Sequence, residues 1–120
     1  MEVLVIDDEM DVRLLCRINL KHAGMLVREA ESGRSGLAAA WEAPPDVVIL
    51  DLMMAGMDGF DVLRTLRSDE RTADLPVLVL SALTTESDRA RCLLLGANAF
   101  MSKPFFPGAL TEELTALVHA

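Results

Sequence analysis

Nothing in this chain suits it to gripping nucleic acid. It has no run of lysine or arginine, and 11 basic residues stand against 19 acidic ones, a formal net charge of −8. A phosphate backbone needs the opposite sign, so no direct nucleic-acid binding is expected. Its two cysteines, Cys16 and Cys92, are too few for a disulfide framework. Both fall in helical patterns, which predicts reduced, buried thiols. Long apolar runs are also missing: the N-terminal one ends at Ile6 and acids follow. That is too short and wrongly flanked for a signal peptide or membrane span, so the expectation is a cytoplasmic protein away from any membrane. No internal repeat, linker or low-complexity stretch occurs. No glycine-rich phosphate loop follows Ile6, which speaks against a nucleotide or flavin binder.

What is present is an alternation. With 120 residues, 52% of them hydrophobic, residues 1–120 read as a single domain with a sizeable core. Val3-Leu4-Val5-Ile6, Val47-Val48-Ile49-Leu50 and Val77-Leu78-Val79-Leu80 are short continuous apolar runs, the pattern of strands buried on both faces. Met25–Ala30 and Ala97–Met101 are weaker strand candidates, the former nearer an edge. Between them the period shifts to helical. From Asp8 to Ala23, with Asp8 or Glu9 as cap, Val12, Leu15, Cys16, Asn19, Leu20 and Ala23 fall on one face, and Gly24 ends the helix. Further helices are expected from about Gly33 to Glu42, Gly59 to Arg67 capped by Asp58, Thr85 or Ser87 to Leu95, and Pro107 to Val118. Five strand-helix units with short connections predict an α/β fold. It is a flavodoxin-like doubly wound (βα)5 domain with a five-stranded parallel sheet in the order 2-1-3-4-5.

That order gathers polar residues on one rim. Asp7 and Asp8 follow the first strand, Asp51 the third, Ser81 ends the fourth and Lys103 follows the fifth. Singly, each has an ordinary use as a cap, turn or surface residue. Together they make a site. Carboxylates about 4 Å apart repel by about 4 kcal/mol at an effective dielectric near 20. Lys103 is the one cation nearby in the chain, so a divalent ion is implied, and oxygen ligands favour Mg²⁺. A carboxylate beside Mg²⁺, an ammonium and a hydroxyl can accept a phosphoryl group by in-line attack.

The pieces VLVIDDEMDVR, PPDVVILDLMMAGMDGFDVLRTLR, LPVLVLSAL and GANAFMSKPF resemble the receiver domain of two-component response regulators over nearly the whole chain. The resemblance implies that Asp51 is the phosphoacceptor, taking its group from a sensor histidine kinase or a histidine phosphotransfer protein. It implies that Asp7, Asp8, Asp51 and the backbone carbonyl of Met53 hold Mg²⁺. Ser81 and Lys103 would meet the phosphoryl group, Lys103 being fixed by a cis peptide to Pro104. Phe100 would be the aromatic switch that turns inward once Ser81 moves. The readout would be the surface of the fourth helix, fifth strand and fifth helix, presented to a downstream effector domain or protein. The only enzymatic chemistry implied is the chain's own phosphorylation and dephosphorylation.

Three features depart from the family pattern. Ala55 stands where proline is usual, which loosens the loop after Asp51. Phe100 replaces the more frequent tyrosine and carries no hydroxyl. The last helix, ALTEELTALVHA, has no lysine or arginine, so the family's dimer through the fourth and fifth helices is not expected. Met53 and Leu83, two past the acceptor and two past Ser81, put apolar walls beside the phosphoryl group and predict slow hydrolysis. Met10, Leu14 and Ile18 form a second apolar stripe on the first helix, a candidate dock for the kinase's phosphodonor domain. The competing reading is a small phosphohydrolase or phosphotransferase working through an aspartyl-phosphate. The adjacent Asp7-Asp8 lacks the Asp-x-Asp spacing of such enzymes, and 120 residues leave no cap domain for a substrate.

Overall fold

The computed structural model describes residues 1–82 and 85–119. Its elements alternate as β1 (Glu2–Ile6), α1 (Met10–His22), β2 (Leu26–Ala30), α2 (Gly33–Glu42), β3 (Val47–Leu50), α3 (Gly59–Ser68), β4 (Val77–Ser81), α4 (Glu86–Leu94), β5 (Ala99–Ser102) and α5 (Pro107–Val118). All strand pairings are parallel, in the order β2-β1-β3-β4-β5.

The continuous apolar runs are buried on both faces because successive side chains alternate between two cores. Leu4, Ile6, Val48, Leu50, Val77 and Val79 pack with α2, α3 and α4, through Leu37, Phe60, Leu63, Leu66 and Cys92. Val3, Val5, Val47, Ile49, Leu78 and Leu80 pack with α1 and α5, through Cys16, Leu20, Leu110 and Leu114. Each fully buried aliphatic side chain contributes about 1.5–3 kcal/mol. Both cysteines are free and buried. Burial, the first cause, and the field of Asp7 push the Cys16 thiol up to about 12.

Local signals set the element ends. Asp58 and Thr85 accept the N3 amides of α3 and α4, and Gly24 and Gly96 follow α1 and α4 at φ 85° and 104°. Four expectations shift. Glu9 occupies the cap position of α1 without a side-chain bond. β5 starts at Ala99, because Ala97 closes α4 on Cys92 O and the Asn98 side chain takes the Val77 N–H. Leu15 is 52% exposed and not in the core. It sits one helical step off the Val12-Cys16-Leu20 stripe, over the loop at Pro104 and Phe105. Ala23 is exposed too, as the C-cap of α1.

Candidate functional site

Strand register builds the rim. Ile6 pairs with Leu50, so Asp7 and Asp51 leave the sheet side by side, and the Asp51 N–H bonds Ile6 O at 3.0 Å. Ser81 pairs with Ser102, and the Lys103 N–H bonds Ser81 O at 2.9 Å. The Lys103–Pro104 peptide is cis. Gly59 lets α3 start directly behind β3: a Cβ there would lie 2.2 Å from Asp51 O, so no side chain fits.

Asp7, Asp51 and Ser81 are buried, and Ser81 has interaction partners of its own. The Lys103 ammonium donates to Asp7 Oδ2 at 2.9 Å and lies 3.4 Å from Asp51 Oδ1 and 3.6 Å from Glu9 Oε1. Burial opposes its charge, but the bond to Asp7 and the fields of Asp51, Asp7 and Glu9 outweigh it and hold it above its ordinary value. Burial, then repulsion from Asp7, pushes Asp51 up to about 6, against the pull of Lys103 and the Met53 N–H. One lysine does not neutralise this corner.

The donor set fits a hard divalent cation. Asp7, Asp8, Glu9 and Asp51 each offer an oxygen, all within 4.8 Å of one another. Asp51 Oδ2 is buried and has no hydrogen-bond donor. Oxygen-only ligands at this spacing suit Mg²⁺. Glu9 is the member the sequence did not single out; it read as a cap, and only its approach to Lys103 and the acid pair reveals it. The Ala55 N–H donates to Asp8 Oδ2 at 3.2 Å, tying the loop after Asp51 to the acid pair. A proline there has no such hydrogen to give.

Other singled-out residues lie around this corner. Phe100, on β5, is half-buried, with the Arg89 guanidinium 6.0 Å from its ring centroid. Met53 is 59% exposed at the mouth; Leu83 lies outside the described residues. Met10, Leu14 and Ile18 are all exposed on α1. Beside them a groove of about 330 Å³ is lined by Asp11, Val12, Leu15, Lys103, Pro104 and Phe105.

The family model described as "Response regulator receiver domain" matches residues 3–115. The chain belongs to the response regulator receiver domain family. Among curated relatives, the DNA-binding dual master transcriptional regulator RpaA of Synechocystis is 43% identical over 98% of this chain and 47% of its own length. The transcriptional regulatory protein KdpE of Mycobacterium tuberculosis is 46% identical over 98% of this chain and 50% of its own. This receiver chain thus spans about half the length of such relatives. Among solved structures, a putative response regulator from Chloroflexus aurantiacus superposes with a TM-score of 0.95 at 30% identity, covering 99% of this chain and 98% of that one. The chemotaxis protein CheY4 of Vibrio cholerae superposes at 0.92 with 32% identity, over 97% of each chain. Receiver domains of transcriptional response regulators are signalling switches and not classical enzymes. No helix among the described residues is long and apolar enough to cross a membrane.

Proposed function

We propose that this receiver is a phosphorylation-controlled switch with Asp51 as its acceptor. The observation that carries the reading is the buried, donor-less Asp51 Oδ2 at the centre of four converging acids. An Asp51 oxygen attacks phosphorus in line, and the bond to a phosphohistidine nitrogen breaks with its electron pair returning to the imidazole. Asp7, Asp8, Asp51 and the Met53 carbonyl would hold Mg²⁺, with Glu9 adding negative charge at the rim. When bound, the ion supplies neutralisation of the phosphoryl charge. Lys103 pairs with the transferred group and the Ser81 hydroxyl donates to it. Phe100 then turns inward from its place beside Arg89. The surface of α4, β5 and α5 shifts between two populated states.

Residues 1–120 work as one receiver domain in the cytoplasm. The phosphodonor is a sensor histidine kinase or a histidine phosphotransfer protein. Its helix docks along Met10, Leu14 and Ile18 and the groove beside Leu15 and Phe105. A downstream effector domain or protein reads the switch, and any DNA contact belongs to that effector. The receiver's own chemistry is confined to its phosphorylation and dephosphorylation.

Acetyl phosphate with Mg²⁺ tests the reading by intact mass. A single labile phosphoryl adduct is expected, absent in Asp51→Asn and without added Mg²⁺; turnover of free substrate with no adduct would overturn it. Ile18→Asp tests the dock: transfer from the kinase slows at least about tenfold, as for loss of a buried apolar contact, while acetyl phosphate works as before. Equal loss with both donors would point to misfolding.

A further inference from the structure

We propose that Arg13 is a positioning residue for the acid pair: it fixes the Asp7 backbone so that Asp7 and Asp8 meet the cation already in place. The inference rests on the Mg²⁺-dependent acceptor reading given above.

Each polar group of Asp7 is tied. Its N–H bonds Ala30 O at 3.1 Å. Its Oδ1 accepts from the Glu9 N–H at 2.9 Å and its Oδ2 from Lys103 at 2.9 Å. Its carbonyl accepts from Arg13 Nη1 at 2.8 Å. The two carboxylate bonds sit on the atoms for which a divalent cation competes. The two backbone bonds do not, so they hold the residue whatever fills the rim. One comes from the end of β2, the other from the first turn of α1.

Arg13 is itself held. Its side chain is 14% exposed, and Nε lies 3.4 Å from Glu29 Oε1, while Glu29 Oε2 takes Arg17 at 3.0 Å. A fixed positive charge beside a cation site opposes the cation. Glu29 offsets that charge, and the directional bond to the carbonyl remains. The sign of the effect therefore separates the two roles. A charge role makes removal of Arg13 tighten Mg²⁺ binding; a positioning role makes removal weaken it.

The test is a Mg²⁺ titration of the metal-free protein, followed by the amide resonances of residues 7–9. Arg13→Met keeps the aliphatic stem and loses the donors; its Mg²⁺ affinity is expected to fall about fivefold, the net worth of one typical hydrogen bond. Arg13→Lys restores affinity to within about twofold of wild type, since an ammonium still donates. Arg28→Ala is the control. That arginine bonds the Ala39 and Ala43 carbonyls at the end of α2, so its loss lowers the unfolding midpoint and leaves Mg²⁺ affinity unchanged. Tighter or unchanged binding in Arg13→Met overturns the proposal, as does an Arg28→Ala that weakens binding equally. Should Arg13→Met not fold, Arg13→Lys decides: a loss of tenfold or more there contradicts rescue by a donor. A wild type indifferent to Mg²⁺ would overturn the functional reading; a flat Arg13 series with a binding wild type overturns only this inference.

Discussion

Where the strands begin, Arg67 is a half-buried cation with its donors satisfied. It bonds the carbonyls of Gly96, Thr72 and Ala73 and the Asn98 side chain at 2.8–3.2 Å. Where the strands end, Asp51 is a buried carboxylate left short, with one oxygen undonated and three acids nearby. Both are costly groups to take from water. At the first end neutral dipoles satisfy the charge, and the result is a joint between α3, the α3–β4 turn and the α4–β5 turn. At the second end, part of the charge is left for something that arrives later. One sheet thus carries an end whose buried charge is satisfied and one whose buried charge is not.

The largest expected effect breaks the comparison at its stable end. Arg67→Ala frees several carbonyls and should cost about 3 kcal/mol in urea unfolding. It should leave Mg²⁺ affinity alone; a shift there would show that the two ends are coupled. A smaller effect, of opposite sign, is expected at the Asp51 end. The folded Asp51 carboxyl is raised from 3.8 to about 6. Its charge therefore opposes folding: the penalty is absent below about pH 4, grows as pH rises through about 6, and is full above that. Asp51→Asn should stabilise the metal-free protein at pH 7.5 by about 2–3 kcal/mol, with no gain at pH 3.5 and little under saturating Mg²⁺. Equal midpoints at pH 7.5 would contradict this penalty. The smallest effect is kinetic. Met53→Asn replaces an apolar side chain at the mouth with one that can hydrogen-bond a water, and should speed loss of the phosphoryl group by a few-fold, about 1 kcal/mol of barrier. Matching decay rates for the two proteins would remove Met53 from the account.

The sequence made the strands legible because full burial on both faces demands unbroken apolar runs, and Val3–Ile6, Val47–Leu50 and Val77–Leu80 are such runs. Helix ends were legible where a cap or glycine marks them, as at Asp58, Thr85, Gly24 and Gly96. Leu15 was misread because helical periodicity gives a face but not its width; the loop at Pro104 and Phe105, distant in sequence, decides what covers that edge. Glu9 holds the cap position that the sequence marks, but its place among the acids is illegible for the same reason, since it depends on Lys103, 94 residues further along the chain.

By itself, the order of apolar runs and the acids that end them determined a parallel sheet with Asp7, Asp8, Asp51, Ser81 and Lys103 on one rim. Strand period and crossover handedness leave few other arrangements. Only the tertiary structure decided which oxygens face one another, which lack a donor, and that Arg13 and Ala55 reach into the acid pair. Those depend on register and on side chains meeting across the fold at the scale of a hydrogen bond, and no local pattern encodes that distance.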